Sequence, residues 1–218
     1  MDILITGTSD GIGRATAEYF LERGHRVVGF DRRPSAICHP HYRHEILDIC
    51  DADAYPEDVQ PEILVNNAGV QDSGRDIEIN LMGTIRITEK YAIANPRIRA
   101  VVMVGSASAH TGSEFPEYAA SKGGLLTYTK NAALRLAPRA VCNSIDPGGV
   151  LTDLNRPVME DPALWEQIMA LTPLRRWATP EEIAEWIYFV GVRNRFMTGQ
   201  NLLIDGGEAG DAHFVWKD

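Results

Sequence analysis

Apolar positions along the chain follow two alternating rhythms. Short, nearly continuous apolar runs, "DILIT" (2–6), "RVVGF" (26–30), "ILVNN" (63–67), "AVVMVG" (100–105), "AVCNSID" (140–146) and "NLLIDGG" (201–207), have the length and β-branched content of strands. Their lack of strict alternation predicts parallel strands covered on both faces. Between them, residues 11–24, 79–95, 118–137 and 179–191 repeat apolar side chains at helical spacing. The last of these segments opens with Thr179, Pro180 and Glu182, an N-cap, a first-turn proline and an N3 acid. Strand and helix in alternation, joined by right-handed crossovers, predict an α/β fold: an open, doubly wound parallel sheet flanked by helices. No Gly-, Pro- or Ser-rich linker and no internal repeat divides residues 1–218, so a single domain is expected.

Composition narrows the class without changing the fold. The 218 residues are 44% hydrophobic and 23% charged, a globular balance, and the net charge of −9 is spread without long blocks. Nucleic acid or an anionic membrane would call for a concentrated basic face, so neither is an expected partner. Cys38, Cys50 and Cys142 are odd in number and widely spaced, which argues against a disulfide framework or a metal site. The strand-like start lacks a basic leader, and no run reaches transmembrane length. A cytoplasmic, soluble protein is the expectation.

The first strand turns directly into the first helix through "ITGTSDGIGRATA", which places Gly7, Gly11 and Gly13 around Ser9, Asp10 and Ile12. Glycines there allow a tight turn and let backbone N–H groups approach an anion at a helix N-terminus. The next strand ends at Asp31, 18 positions after Gly13, near the spacing expected of an acid that grips a ribose diol. Asp31 would repel a 2′-phosphate, and Asp10 adds a second acid at that end. Arg32 and Arg33 could counter this by stacking on adenine or reaching a phosphate, or they are plain surface charges. The balance favours NAD over NADP.

Tyr118 and Lys122 lie four apart on one helical face, where an ammonium stabilises a phenolate and equips it to exchange a proton with a carbinol or carbonyl oxygen. Ser106 and Ser108 follow a buried strand in "VVMVGSASAH". Asn80 opens "NLMGTIRITEKY", where an asparagine also serves as an N-cap.

Taken in order, T-G-x-x-x-G-x-G, "NNAG" (66–69), Ser106, "YAASK" (118–122), "PGG" (147–149) and "TGQNLLIDGG" (198–207) resemble the short-chain dehydrogenases/reductases over essentially the whole chain. The resemblance implies a Rossmann-like fold and an oxidoreductase that moves a hydride between a secondary alcohol or ketone and a nicotinamide cofactor. It implies Tyr118 as general acid/base, Lys122 as its tuner and ribose anchor, Ser106 as positioner of the substrate oxygen, and Asn80 as relay anchor. It further places Asp48 and Ile49 by the adenine, though Asp48 serves equally as a turn cap before "CDADAY", and Asn67, Ala68 and Gly69 by the ribose, with Asn66 holding the sheet together while lining the cofactor. Pro147, Gly148, Val150 and Thr152 fall at the carboxamide. Family members pair through helices, so a homodimer or homotetramer is expected.

Four departures stand out. Gly105 replaces the first of two serines, the spacing from Ser106 to Tyr118 is 12, Asp146 precedes Pro147 where a small residue is usual, and only eleven positions separate Gly69 from Asn80. Ser108 therefore stays open as an alternative to Ser106. Asp146 is a substrate-facing acid or a satisfied strand-end residue. The shortened segment implies an open cleft, with likeness to 3α-hydroxysteroid dehydrogenase/carbonyl reductases and to 2,3-dihydro-2,3-dihydroxybenzoate dehydrogenases.

Residues 153–177 correspond to the family's substrate lid, with Leu154, Val158, Leu164, Trp165 and Met169 as candidate pocket residues. His110 and Arg156 are candidate contacts to a substrate carboxylate. Expected substrates are small cyclic or steroid-like alcohols or dihydrodiols. The alternatives are a 3-oxoacyl thioester reductase and a non-catalytic NAD-binding sensor, because fold alone does not fix function.

Overall fold

The computed structural model describes residues 1–113 and 115–210. Seven parallel strands form one sheet in the order β3-β2-β1-β4-β5-β6-β7. The strands are β1 (Asp2–Thr6), β2 (Arg26–Asp31), β3 (Tyr42–Ile46), β4 (Ile63–Asn66), β5 (Ala100–Val104), β6 (Val141–Pro147) and β7 (Asn201–Ile204). The chain runs outward from β1 to β3, then returns to lay β4 against the other side of β1. Strand order reverses there, and a crevice opens beyond the carboxyl ends of β1 and β4.

Six of these strands are the expected ones, and β3 is the addition. "YRHEI" pairs only with β2 and is half-exposed along its length, so it carries no apolar run for the sequence to display.

Helices α1 (Gly11–Glu22) and α7 (Pro180–Tyr188) cover one face, where Phe20, Leu21, Ile183 and Ile187 close over Ile3, Ile5, Val65 and Val102. On the other face α4 (Pro116–Leu136) and a helical rod from Ile77 to Ile93 bury Leu136, Ile87 and Tyr91 against Leu4, Leu64 and Met103. The rod is α2 (Thr84–Thr88) set between two π-helical stretches, Ile77–Gly83 and Glu89–Ile93. Three short helices complete the connections: α3 (Ser108–Thr111), α5 (Arg156–Met159) and α6 (Pro162–Leu171). Among the described residues no helix is long and apolar enough to cross a membrane.

The start of α7 forms as its sequence predicts. Thr179 Oγ1 accepts from Glu182 N (3.3 Å) and Glu182 Oε2 accepts from Thr179 N (2.9 Å). Thr179→Ala is expected to cost about 1 kcal/mol, measured by urea denaturation, because the backbone N–H of Glu182 loses its acceptor while the residue-179 N–H keeps Glu182 Oε2.

Candidate active site

A cleft of about 920 Å³ runs across the carboxyl ends of the strands, from the glycine loop to α6. At its first end Gly7 and Gly11 hold φ of +77° and +50°. A Cβ on Gly7 would lie 2.9 Å from Ala68 Cα, and one on Gly13 only 1.9 Å from Gly7 O. Gly13 thus lets α1 pack onto the turn and does not itself line the cleft. Gly7, Asp10, Gly11 and Ile12 do.

Asp31 ties the end of β2 to this loop. Its Oδ2 accepts from Ser9 N (3.0 Å) and its Oδ1 from Arg33 N (2.9 Å). Ser9 Oγ donates to Arg33 O (2.9 Å), so Ser9 braces the loop from outside the cleft and does not line it as expected. Asp10 is the N-cap of α1, its Oδ1 accepting from Gly11 N at 2.7 Å. Arg33 lies 3.7 Å from Asp10 and 3.9 Å from Asp31, an ion pairing the sequence does not announce. Arg32 lines the cleft beside them.

Asp48 accepts from Cys50 N (2.8 Å) as a turn cap, and with Ile49 it walls the cleft. Thr6 Oγ1 accepts from Asn67 N and Ala68 N, both at 3.0 Å, which fixes the Asn67–Gly69 wall at the strand-order reversal. Asn66 does not line the cleft. It is buried between sheet and α2, donating to Thr88 Oγ1 at 2.9 Å.

At the second end, Lys122 is buried within α4 and donates from Nζ to Val104 O at 2.9 Å. Its Nζ stands 5.7 Å from the Tyr118 ring centroid, and both residues line the cleft. Burial pulls the Lys122 amine down to about 8, opposed by the charges of Asp146 and then Asp76. Ser106 Oγ accepts from Ser108 N (3.2 Å) and donates to Ser108 Oγ (3.2 Å), so the two candidate serines form one unit at the wall. Pro147, Gly148, Val150 and Thr152 complete this end.

Asn80 is not an N-cap. It sits inside the π-helical stretch Ile77–Gly83, fully buried and outside the cleft wall. Its Oδ1 accepts from Val70 N (2.8 Å), while Nδ2 donates to Val70 O (2.9 Å) and Ser121 Oγ (3.0 Å). It therefore clamps the shortened 70–76 segment to α4, directly behind Lys122. A Cβ on Gly69 would lie 3.2 Å from Asn80 Oδ1 and 3.5 Å from Lys122 Nζ.

Several substrate-side expectations are corrected. His110 and Asp146 do not line the cleft but pair with each other, Nε2 to Oδ2, at 2.7 Å. Arg156 pairs with Asp153 and stands 4.0 Å from Glu160. Leu154 and Val158 wall the cleft, joined by Ile168 and Trp177 rather than by Leu164, Trp165 or Met169. Trp165 instead packs edge-on to Trp177, with centroids 4.9 Å apart. Trp177 presses on Gly149, where a Cβ would lie 2.0 Å from its ring; that glycine was the only sequence signal for it. Among the described residues no group of three or more His, Cys, Asp or Glu could hold a metal ion.

The family model described as enoyl-(acyl carrier protein) reductase matches residues 61–208. The chain is 30% identical to the 2,3-dihydro-2,3-dihydroxybenzoate dehydrogenase of Escherichia coli, over 94% of this chain and 96% of that protein. It superposes on 4-hydroxyisoleucine dehydrogenase complexed with NADH with a TM-score of 0.88 at 27% identity, covering 97% and 99% of the two chains. A putative 2-deoxy-D-gluconate 3-dehydrogenase from Agrobacterium tumefaciens with bound NADP gives 0.85 at 26% identity, covering 96% of each. With the parallel sheet, the glycine turn and the Tyr118–Lys122 cleft in the order the family requires, this chain belongs to the short-chain dehydrogenases/reductases, oxidoreductases of alcohol-type substrates.

Proposed function

We propose that this protein interconverts a secondary alcohol and a ketone with NAD(H) as its hydride partner. One observation carries the reading: Tyr118 and the buried Lys122 line one end of the cleft whose other end is built from the glycine loop and Asp31. Gly7 and Gly11 line the cleft, the absence of a Cβ at Gly7 and Gly13 lets the turn pack closely on Asn67–Ala68 and on itself, and the N-terminus of α1 opens onto the cleft, so the residues present fit a dinucleotide. When bound, NAD(H) supplies the acceptor or donor of the hydride.

The chain's own residues do the rest. The Tyr118 hydroxyl holds the proton exchanged with the substrate oxygen, and Ser106 Oγ orients that oxygen beside it. Lys122 spends one N–H on Val104 O, leaving two for the ribose hydroxyls and for stabilising a Tyr118 phenolate. Asn80 is a positioning residue that keeps α4 and the 70–76 segment together.

Asp31 supports NAD over NADP, since its carboxylate stands where a ribose diol would be gripped and Arg33 is already matched by Asp10 and Asp31. NADH is expected to bind more tightly than NADPH by fluorescence titration, and Asp31→Ala to narrow the difference. Tighter NADPH binding by the wild type would overturn the preference for NAD.

The substrate proposed is a small cyclic or steroid-like alcohol or a dihydrodiol, admitted by the short 70–76 segment and enclosed by residues 153–177. The test is a panel of cyclic alcohols, dihydrodiols, hydroxysteroids and 3-hydroxyacyl thioesters followed by NADH absorbance. Turnover of the thioesters alone would favour a 3-oxoacyl thioester reductase, and binding of NADH without any turnover a sensor. The working form proposed is a homodimer or homotetramer, to be read by light scattering.

A further inference from the structure

Two departures that look separate in the sequence, Gly105 before Ser106 and Asp146 before Pro147, meet in one place. A Cβ on residue 105 would lie 2.0 Å from Asp146 Oδ1, so the carboxylate fills the volume a side chain at 105 would occupy. Asp146 is fully buried. Its Oδ2 is bonded to His110 Nε2 at 2.7 Å, the imidazole reaching back from α3. Its Oδ1 has no hydrogen bond of good geometry among the described residues, although the Ser144 hydroxyl favours the ionised form. A buried, half-satisfied carboxylate is costly to keep and calls for a reason.

The reason lies across one peptide unit. The carboxylate abuts Gly105, and the preceding carbonyl, Val104 O, accepts the Lys122 ammonium at 2.9 Å. Strand-end bonds from Gly105 N to Ile145 O (2.8 Å) and from Ala107 N to Pro147 O (2.7 Å) hold the two sides in register.

We propose that Asp146 is a positioning residue of the active site, a counter-charge held by His110 under Gly105 that keeps the buried Lys122 an ammonium. The inference rests on the reading above for what Lys122 does, but not for the coupling between the two groups. Lys122 is faced by Asp146 from β6, by Asp76 from the loop before the helical rod, and by Tyr118 on its own helix. Asp146 is faced by His110 from α3, Lys122 from α4 and Ser144 on its own strand. Burial lowers Lys122 to about 8, and Asp146 is the first charge resisting that fall. Burial likewise raises Asp146, and His110 and Lys122 both draw it back toward ionisation. With the carboxylate ionised, the His110 Nε2–H is the donor that keeps it so.

The chain has four lysines, Lys90, Lys122, Lys130 and Lys217, so selective ¹³C-lysine labelling of the cofactor-free protein resolves each ¹³Cε titration. Lys122 is assigned by loss of its signal in Lys122→Met. In Asp146→Asn the Lys122 titration is expected to fall by about one unit or more, a tenfold change in proton affinity, with Lys90 and Lys130 unmoved. His110→Leu should move it the same way, by letting Asp146 take up a proton. If Asp146→Asn does not fold, Gly105→Ser with Asp146→Ala refills the volume without charge and should show the same fall. In melting curves Gly105→Ala is expected to be severely destabilised and Asp146→Ala to rescue it. An unchanged Lys122 titration, or no rescue, overturns the inference. A Lys122 shift in a protein that turns over nothing on the panel would sink the alcohol–ketone reading and leave this one standing.

Discussion

Tyr118→Phe is expected to lower turnover between about a hundredfold and ten-thousandfold, the range over which a positioned proton donor acts. The ring keeps its place at the first turn of α4, so the cleft loses one hydroxyl and little shape. NADH affinity, read by fluorescence titration, should stay within a few fold. KM should also change little, because the proton is needed at the transition state rather than for binding. A variant retaining full turnover would remove Tyr118 from the chemistry and return attention to the Ser106–Ser108 pair.

Lys122→Met should push activity and stability in opposite directions. The buried amine is lowered from 10.5 to about 8. Below pH 8 it is charged in the folded and unfolded chains alike, and the folded state bears the full cost of burying that charge. Between pH 8 and 10.5 the folded protein gives up the proton first, so the cost is relieved as pH rises. A gap of that size corresponds to about 3 kcal/mol, reduced by about 1 kcal/mol for the lost hydrogen bond to Val104 O. Urea denaturation at pH 7 should find the methionine variant more stable by about 2 kcal/mol, with the gain fading toward pH 10.5. Its turnover should drop by about a hundredfold or more, since the group opposing negative charge on the phenol is gone. A variant less stable than wild type at pH 7 would mean that the ammonium is a net contributor to the fold.

Legibility followed the physical range of each signal. The glycine turn, Asp31 and the Tyr118–Lys122 spacing are local, with the strand, loop and helix geometry that gives them meaning encoded within a few dozen residues. All six apolar runs are strands, and β1, β4, β5 and β6 are buried along nearly their whole length, because burial on both faces demands apolar side chains at successive positions. The β3 edge and the short helices α3 and α5 escaped notice, having too little buried surface to write a period. Helix α6 is written in the sequence as Asp161 followed by Pro162, and the structure bears this N-cap out, with Asp161 accepting from Ala163 N and Leu164 N.

Long-range pairings were a different matter. His110 and Asp146 lie 36 residues apart, and the sequence offers His110 as a substrate contact and Asp146 as either a substrate-facing acid or a satisfied strand-end residue, because a titratable side chain near a cleft gives no local clue to its partner. Gly105 and Asp146 were two anomalies until a shared volume made them one. Of the two readings of Asn80, relay anchor and N-cap, the N-cap fails because the π-helical stretch around it begins earlier and leaves no period of its own in the sequence.

The sequence by itself determined the parallel sheet, the glycine turn between β1 and α1 and the placing of Tyr118 and Lys122 four apart on one helix, each written in spacing that the backbone must obey locally. Only the tertiary structure decided which polar groups meet: Arg33 beside Asp10 and Asp31, and Asp146 against His110 and Gly105. Apart from Arg33 and Asp31, two positions apart, those partners come from segments more than twenty residues apart in the chain. Electrostatics and packing depend on distances that only the folded sheet establishes.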